Sequence, residues 1–396
     1  MIEVERGKPI WAMGLMSGTS MDGVDAALLK TDGESIAEFG PGAETKYVDG
    51  DMACVELVAR HPSVYRQASL GSKYSNGIPS DDEGYRAELH EAESDVVSLH
   101  AKAVLDLVAM AERSHGPSII GFHGQTVAHA PKQGWTWQLG DGGELARILN
   151  RPVVWDFRTD DMKAGGEGAP LAPFFHFALA RHIGATEPLA FLNLGGVGNA
   201  TWVDPKKLTP EEEGALVAFD TGPGNALIND WMHSSGDTPL DQDGAAAATG
   251  TVQHDRLSTN SGMAYLDRRP PKSLDRNDFH GILNAMQGLS INDGAATLTA
   301  FTADCVAESL RHMPSAPARW LVCGGGRHNH TMMQMLQNRL NAPVEPVEAV
   351  GLDGDMLEAQ AFAYLAVRVL RGLPTSAPST TGCREPVCGG RINYPT

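Results

Sequence analysis

The chain has 396 residues, of which 42% are hydrophobic, and a formal net charge of −18. This length can bury a large core and favours two domains over one, and the negative charge argues against nucleic acid or an anionic membrane as the main partner. Five scattered cysteines are typical of a reducing compartment. No stretch approaches the apolar length of a membrane span, and no long apolar run follows residues 1–6, so we expect a cytoplasmic protein.

Strands and helices alternate along most of the sequence. Two strands, at residues 11–15 and 24–30, come first, a polar stretch at 69–84 predicts a long loop, and a helix is predicted over 87–113. Further strands are predicted at 118–122, 153–157, 189–194, 201–203, 217–219 and 320–323, and helices at 143–149, 172–183, from 226 on, at 293–312, 331–340 and 356–371. This alternation predicts an α/β fold with mostly parallel strands, followed by an irregular tail over 374–386.

One carboxylate stands out because of the turn that follows it. Asp220 comes directly after the predicted strand 217–219, and Gly222, Gly224 and Asn225 lead into the next helix. Open α/β sheets bind ligands at the carboxyl ends of their strands, and glycines at a helix N-terminus allow close approach of a phosphate. Asp220 is therefore a carboxylate placed beside a backbone that can approach phosphate, and an ordinary helix cap is the alternative.

Three other glycine-rich turns each follow an apolar strand. The first, between Gly14 and Gly23, lacks the lysine of a Walker A loop and leads into a strand, which excludes a Rossmann fingerprint. Its amides and hydroxyls can fold over phosphates, with Asp22 or Asp25 helping to hold Mg²⁺, although a plain hairpin remains an alternative. The second turn spans 193–199 and the third 323–329. Together they predict a nucleotide held by backbone and metal.

These turns belong to a longer set of motifs spread over nearly the whole chain. In chain order the set is Gly14-Leu-Met-Ser-Gly-Thr-Ser-Met-Asp-Gly-Val-Asp25, His123-Gly-Gln-Thr126, Asp156-Phe-Arg158, Gly165-Gly-Glu-Gly-Ala-Pro-Leu171, Asn193-Leu-Gly-Gly-Val-Gly-Asn199, Phe219-Asp-Thr-Gly-Pro-Gly-Asn225 and Cys323-Gly-Gly-Gly326. The set resembles the anhydro-N-acetylmuramic acid kinase family. That resemblance implies the actin/sugar-kinase/Hsp70 fold, with two RNase H-like α/β domains and ATP in the inter-domain cleft. It implies a first domain at 1–130 plus 352–396, a second at 131–351, and a homodimer.

The resemblance also assigns roles to residues. The three turns become the phosphate 1, phosphate 2 and adenosine motifs for ATP. The implied nucleotide-binding residues are Gly18, Thr19, Ser20, Met21, Asp22, Gly23, Val24, Asp25, Gly195, Gly196, Asn199, Gly222, Gly224, Asn225, Gly324, Gly325, Gly326 and Asn329. Asp22 and Asp25 are the candidate Mg²⁺ ligands, and His123, Arg158, Gly165, Gly166 and Glu358 are the candidate sugar-binding residues.

The reaction implied by the resemblance joins hydrolysis to phosphorylation. In 1,6-anhydro-N-acetylmuramic acid, O6 is tied to C1, so water must open the ring at C1 as O6 takes the γ-phosphoryl group of ATP. The products are N-acetylmuramic acid 6-phosphate and ADP, as in peptidoglycan recycling. Asp220 would take the proton of the water. Arg158 could fork onto the lactyl carboxylate or instead form a salt bridge.

Three alternatives remain at this point. The first is levoglucosan kinase, which performs the same ring opening on 1,6-anhydroglucose. The second is a non-catalytic, ATP-switched module like the nucleotide-binding domain of Hsp70. The third is a metallohydrolase built from His123, His129, His176 and His328, whose spacing matches no familiar metal motif.

Overall fold

A computed structural model describes residues 7–18, 21–48, 52–61, 82–111, 115–235, 238–257, 263–274 and 278–395. Thr19, Ser20 and the predicted loop up to residue 81 lie outside the described residues. The strands are β1 (Ile10–Ser17), β2 (Gly23–Thr31), β3 (Ile36–Lys46), β4 (Ile119–Ala130), β5 (Trp135–Leu139), β6 (Val153–Trp155), β7 (Leu189–Leu194), β8 (Val197–Val203), β9 (Leu216–Pro223), β10 (Trp320–Cys323), β11 (Val344–Pro346) and β12 (Arg391–Asn393). The α-helices are α1 (Ala53–Arg60), α2 (Asp82–Met110), α3 (Gly142–Leu149), α4 (Thr159–Lys163), α5 (Pro173–His182), α6 (Ala226–Ser235), α7 (Ala245–Thr249), α8 (Met263–Leu266), α9 (Ile282–Ala285), α10 (Ile291–Ser309), α11 (His330–Arg339), α12 (Leu357–Leu370) and α13 (Pro378–Thr381).

The chain divides into two compact units. Unit 1 comprises Met1–Phe175, Glu358–Ala377 and Cys383–Thr396, and unit 2 comprises His176–Leu357 and Pro378–Gly382. These bounds differ from the predicted domain bounds at 130 and 352, because β5 and β6 pair within the first sheet. The assignment of the two RNase H-like domains to particular stretches of the chain stays a prediction.

Unit 1 is built on a mixed sheet with the strand order β12-β6-β4-β1-β2-β3, and β5 pairs with β4 at the side of this path. Strands β1, β2 and β3 form an antiparallel meander, whereas β4 runs parallel to β1 and β6 runs parallel to β4. Helix α12 packs closely on β1 and β4, where two glycines make room. A Cβ atom at Gly14 would lie 1.7 Å from the Ala359 carbonyl oxygen, and one at Gly121 would lie 2.1 Å from that of Phe362.

The opposite face of this sheet carries an apolar core. Strand residues such as Leu15 and Phe122 pack there with Val96 and Val104 of α2 and Leu145 of α3, and all five are buried. Helix α3 begins at the Asp141 cap, whose carboxylate accepts the backbone N–H groups of two following residues. The sheet of unit 1 therefore has helices on both faces.

Unit 2 repeats the strand order of unit 1. Its sheet has the order β11-β10-β7-β8-β9, in which β7, β8 and β9 form the antiparallel meander and β10 and β11 add parallel strands beside β7. Helices α6 and α10 cover the core and meet closely, since a Cβ atom at Gly294 would lie 2.2 Å from the Trp231 indole. In both units the spatial order is third, second, first, fourth strand, and the strand that follows on this path is β6 in unit 1 and β11 in unit 2.

The α/β fold class and its two similar units are confirmed, and the prediction of mostly parallel strands is wrong. Hairpin turns after β1 and β7 make the first half of each sheet antiparallel. The predicted irregular tail over 374–386 contains only the four-residue helix α13 and a β-bridge from Ser376 to Val387, and β12, which follows it, pairs with β6. In the part of the chain that the structure describes, no helix has the length and apolarity needed to cross a membrane.

Candidate active site

Asp220 lies inside β9, which continues three residues further, to Pro223. Its side chain is half-buried, and its Oδ2 accepts the backbone N–H of Leu274 at 2.8 Å. The backbone N–H of Asp220 donates to the Lys272 carbonyl at 3.1 Å, and its carbonyl accepts the Tyr265 hydroxyl at 3.0 Å. Residues 265–274 therefore hold both the backbone and the carboxylate of Asp220. A carboxylate with one oxygen fixed in this way is oriented to accept a proton.

Lys272 is a part of this arrangement that the sequence did not predict. Its ammonium group is buried, donates to the carbonyls of Tyr265 and Leu266 at 3.3 and 3.2 Å, and lies over the Tyr265 ring at 4.6 Å from its centre. Burial, with the nearby charges of Arg311 and Arg268, lowers the pKa of Lys272 from 10.5 to about 8. The only local signal was a lone lysine after Pro270-Pro271, which by itself indicates nothing.

The second glycine turn joins β7 to β8 and is hydrogen-bonded to the turn after Asp220. The backbone N–H groups of Asn225 and Gly224 donate to the carbonyls of Gly195 and Gly196 at 2.7 and 2.9 Å, and the Asn225 side chain donates to the Leu194 carbonyl. The two predicted phosphate-approaching turns of unit 2 are thus held side by side. Asn199, predicted with them, pairs with Asp220 across β8 and β9.

The glycines of these turns serve two purposes. A Cβ atom would collide with neighbouring atoms at most of them, at 2.7 Å or closer, so these glycines are required by packing: Gly222, Gly224, Gly324 and Gly326. At Gly195 and Gly196 the nearest atom to an added Cβ lies 3.8 Å away, and at Gly325 nothing lies within 4 Å. None of these three has a positive φ. Neither packing nor backbone conformation requires glycine there, which favours the approach of a ligand to the backbone.

The third turn borders a cavity of about 270 Å³ in unit 2. Three of the predicted nucleotide-binding residues, Asn225, Gly325 and Asn329, line it, together with polar residues that were not predicted as site residues: Asn229, Asp241, Gln242, Asp243 and His328. Asn329 is also the N-cap of α11, since its side-chain oxygen accepts the Met332 N–H at 2.8 Å.

Arg327 beside this turn is buried and committed to ion pairs. Its guanidinium contacts Glu348 at 2.8 Å and Asp355 at 2.7 Å, and donates to the Gly324 carbonyl. These partners give Arg327 a structural role in holding the turn.

The first glycine turn, between β1 and β2, belongs to unit 1. The Gly18 carbonyl accepts the Gln125 side-chain amide at 2.9 Å, and Met21 has a positive φ of 54°. Gly23 is a packing glycine, and Val24 is a fully buried core residue, so its side chain cannot face a nucleotide. Asp22 is exposed at the turn, and Asp25 is half-buried opposite Met16 in β2.

The predicted sugar-binding residues gather within unit 1. Arg158 donates from Nη2 to Nε2 of His123 at 2.9 Å and from Nη1 to the Gly168 carbonyl at 2.7 Å. Burial lowers the pKa of Arg158 to about 10, while the charges of Glu358 and Asp161 oppose this shift. Glu358 is exposed in the first turn of α12 and is therefore an electrostatic neighbour of Arg158.

The predicted glycine-rich loop is anchored by a buried carboxylate. Asp161 is fully buried, accepts the Gly168 N–H at 2.7 Å and contacts the Ser376 hydroxyl. A Cβ atom at Gly166 would lie 2.2 Å from Asp161, and Gly165 has a positive φ of 90°. Both glycines are therefore required by the loop itself, and their contact with a sugar stays a prediction.

A cavity of about 460 Å³ adjoins His123 in unit 1. Its other lining residues were not predicted: two indoles, three carboxylates and several neutral polar groups, among them Trp137, Trp155, Glu93, Asp141, Asp156, Gln138, Thr136 and Thr159. Burial, and then the charge of Asp141, raise the pKa of Glu93. Two tryptophans in a polar segment were a signal that could have been used, since indole rings with polar neighbours are common in ligand pockets.

The metallohydrolase alternative finds no support in this geometry. Among the described residues no three potential metal-binding side chains come together. His176 is buried, stacks on Phe191 with ring centres 4.6 Å apart and bonds to the Thr201 hydroxyl. It is a core histidine.

Comparison with known proteins identifies the family. The model of the anhydro-N-acetylmuramic acid kinase family matches residues 11–395. The chain belongs to this family. A relative named anhydro-N-acetylmuramic acid kinase from Ruegeria sp. (strain TM1040) is 52% identical over 392 residues, covering 99% of this chain and 97% of its own. Another of that name from Roseobacter denitrificans is 52% identical over 387 residues, covering 98% and 95%.

Solved structures resemble the chain only distantly. The activator of 2-hydroxyisocaproyl-CoA dehydratase from Clostridium difficile, with bound ADPNP, has a TM-score of 0.44 at 9% identity and covers 92% of this chain and 96% of its own. That similarity carries no argument. Family membership confirms the resemblance and the prediction of an ATP-dependent sugar kinase, and it contradicts the non-catalytic alternative.

Proposed function

We propose that this kinase opens the 1,6-anhydro ring of 1,6-anhydro-N-acetylmuramic acid and phosphorylates O6, giving N-acetylmuramic acid 6-phosphate and ADP. The relatives carry this substrate in their names. The single observation that carries the proposal is the orientation of Asp220, whose carboxylate is fixed by the Leu274 N–H next to turns open to a ligand.

The proposed step uses Asp220 as the general base. Asp220 takes a proton from water as the water oxygen bonds to C1. The C1–O6 bond breaks, O6 bonds to the γ-phosphorus, and the bond from that phosphorus to the bridging oxygen of ADP breaks. One water and one ATP are consumed for each product molecule, so atoms and charges balance. Proton removal and positioning are the contributions expected of the protein in phosphoryl transfer.

ATP would be held largely by backbone groups. Gly195, Gly196 and Gly325 leave open space at their Cα atoms, which suits phosphates and ribose approaching the chain. Asp22 and Asp25 fit Mg²⁺, which proteins commonly bind through one or two carboxylates together with phosphate oxygens and water. When bound, Mg²⁺ would neutralise charge on the phosphates.

The sugar would be bound by unit 1. His123 and the indoles of Trp137 and Trp155 offer a hydrogen-bonding edge and flat apolar surfaces. Arg158 is less suited to the lactyl carboxylate than its residue type suggested, because two of its nitrogens already donate to His123 and Gly168. We further propose a cytoplasmic homodimer acting in peptidoglycan recycling.

The experiment that tests the function combines substrates and variants. The purified protein is mixed with Mg-ATP and either 1,6-anhydro-N-acetylmuramic acid or levoglucosan, and ADP release and product mass are followed. We expect ADP only with the muramic substrate, a product heavier by one phosphoryl group (HPO₃) and one water, and at least a 1000-fold lower rate for Asp220→Asn. Asp106→Asn, on the exposed face of α2, is the matched control. Turnover with levoglucosan alone, or an active Asp220→Asn protein, would overturn the proposal.

A further inference from the structure

One ring nitrogen of His123 meets a donor, and no described residue bonds to the other nitrogen with hydrogen-bond geometry. The side chain is only 5% exposed, and its Nε2 lies 2.9 Å from Nη2 of Arg158. A guanidinium has only donors and stays protonated in proteins. Nε2 must therefore accept, so it carries no proton, and the proton of the neutral ring belongs on Nδ1.

Nδ1 is buried and, among the described residues, has no hydrogen-bond partner. His123 also lines the cavity of about 460 Å³. A buried donor without an acceptor costs free energy, so a ligand or water oxygen is expected to satisfy it. The lone donor beside a cavity points to a ligand that offers an oxygen acceptor.

The surroundings of His123 keep its ring neutral. Burial, and then the charge of Arg158, lower the pKa of His123 well below 6.5; a smaller contribution from His100 acts in the same direction and the backbone of Gly124 in the opposite one. The ring of Phe362 packs against it with centres 4.7 Å apart. His123 therefore acts as a fixed donor and not as an acid at neutral pH.

Arg158 is itself held in place by hydrogen bonds, so it can keep Nε2 of His123 unprotonated. Its Nη1 donates to the Gly168 carbonyl, while the Gly168 N–H donates to the buried Asp161 carboxylate at 2.7 Å. The negative charges of Asp161 and Glu358 favour the charged guanidinium. Each Nη nitrogen of Arg158 thus already commits one of its two N–H groups within unit 1.

We infer that Arg158 is a positioning residue, which holds His123 as the Nδ1–H tautomer so that this N–H donates to an oxygen of the sugar substrate. The inference rests on the proposed function and replaces a direct contact between Arg158 and the lactyl carboxylate. The ligand class is a neutral sugar oxygen: a hydroxyl, a ring oxygen or a carbonyl.

The first test needs no substrate. Protein labelled with ¹⁵N in histidine is examined by long-range ¹H–¹⁵N NMR, and the His123 signals are assigned from their loss in His123→Gln. We expect a protonated Nδ1 and an unprotonated Nε2, unchanged down to pH 6. In Arg158→Met the proton should move to Nε2, or the ring should titrate at a higher pH. Arg147→Met, which removes an exposed arginine of α3, should leave the spectrum unchanged. A wild-type Nε2–H tautomer would overturn the inference.

The second test separates the two ring nitrogens by kinetics. The amide nitrogen of Asn can replace the Nδ1–H donor, whereas that of Gln reaches toward the position of Nε2. His123→Asn should therefore retain at least 10-fold more kcat/KM for the sugar than His123→Gln. Arg158→Met should lose about 10- to 100-fold in the same constant, with the KM for ATP within about 2-fold of wild type, and Arg158→Lys should recover part of the loss.

The outcomes of these tests are distinguishable from failure of the proposed function. If the tautomer is as expected but Arg158→Met and His123→Gln turn over the sugar like wild type, the substrate contact is refuted. If neither 1,6-anhydro sugar is a substrate, the proposed function fails while the NMR result still decides the tautomer.

Discussion

Replacing Lys272 by methionine tests whether residues 265–274 hold Asp220 in place. The change keeps the length of the side chain but removes the donors to the carbonyls of Tyr265 and Leu266. Those carbonyls fix the segment that binds Asp220 at three points: backbone groups of the segment bond to the Asp220 N–H and carboxylate, and the Tyr265 hydroxyl donates to the Asp220 carbonyl. Looser packing of this segment should displace the carboxylate. A displacement of about 1 Å can cost roughly 100-fold in rate, so we expect kcat to fall about 10- to 100-fold.

The stability of the Lys272→Met variant should change much less than its activity. Lowering the pKa of Lys272 from 10.5 to about 8 means that burying its charge costs about 3 kcal/mol at pH 7. The two hydrogen bonds from the charged group offset this, at about 1.5–3 kcal/mol each. The two effects are of similar size, so the free energy of unfolding should change by no more than about 2–3 kcal/mol, a range set by these estimates.

The assay is a coupled measurement of ADP release at saturating substrates, with urea unfolding on the same preparations. Lys206→Met is the matched control, since Lys206 is an exposed lysine of unit 2 that pairs only with Glu187. A folded Lys272→Met protein with kcat within 2-fold of wild type would refute the positioning of Asp220 by Lys272. An unfolded variant would refute the expected balance of stability.

Three further predictions concern backbone space and buried charge. Gly325→Ala should fold normally, because its Cβ meets nothing within 4 Å, but it should raise the KM for ATP about 10-fold in initial-rate assays. Gly281→Ala, which is equally open, should change neither folding nor the KM for ATP. An unchanged KM in Gly325→Ala would count against the approach of the nucleotide to this glycine. Gly14→Ala should lower Tm by 10 °C or more in calorimetry, because its Cβ would lie 1.7 Å from a helix carbonyl, whereas Gly281→Ala, which has open space and no positive φ, should not. Burial lowers the pKa of His176 to about 3, so at acid pH the unfolded chain binds a proton that the folded chain does not. The free energy of unfolding should therefore fall by about 1.4 kcal/mol for each pH unit as the pH is lowered from 6.5 to 3. In urea titrations His176→Phe should show a weaker dependence of stability on pH over this range, and an unchanged dependence would contradict the prediction.

Much of the fold could be predicted because its signals are local. The apolar runs that became β7 and β10 and the amphipathic helix α12 were recognised with bounds close to those observed. Edge strands were missed for a physical reason. β3 contains Gly40-Pro41-Gly42 and is exposed over most of its length, and the three-residue β12 exists only because β6 supplies its partner. Such strands are defined by pairing between distant parts of the chain, which a local pattern cannot reveal.

The candidate site likewise has parts that the local sequence predicts and parts that it does not. Asp220 and the glycine turns were visible because close backbone approach leaves a local pattern of glycines. Lys272 and the bond between Arg158 and His123 depend on residues 35 or more positions apart in sequence. The sequence could also not distinguish a packing glycine such as Gly224 from an open one such as Gly325, because that difference lies in which atoms surround each Cα.

The repeated strand order explains why the candidate residues occur where they do. In each unit the first strand turns back at a glycine-rich turn, and the fourth strand runs parallel to the first. The turn therefore meets the fourth strand, or the residue just after it, at one edge of the sheet: the Gln125 side chain within β4 donates to the Gly18 carbonyl in unit 1, and Gly324, directly after β10, lies against Asn193 in unit 2. This is the edge at which α/β sheets bind ligands. Unit 1 presents a histidine there and unit 2 presents open glycines, so one topology supports two different kinds of contact, a side-chain donor in one unit and exposed backbone in the other.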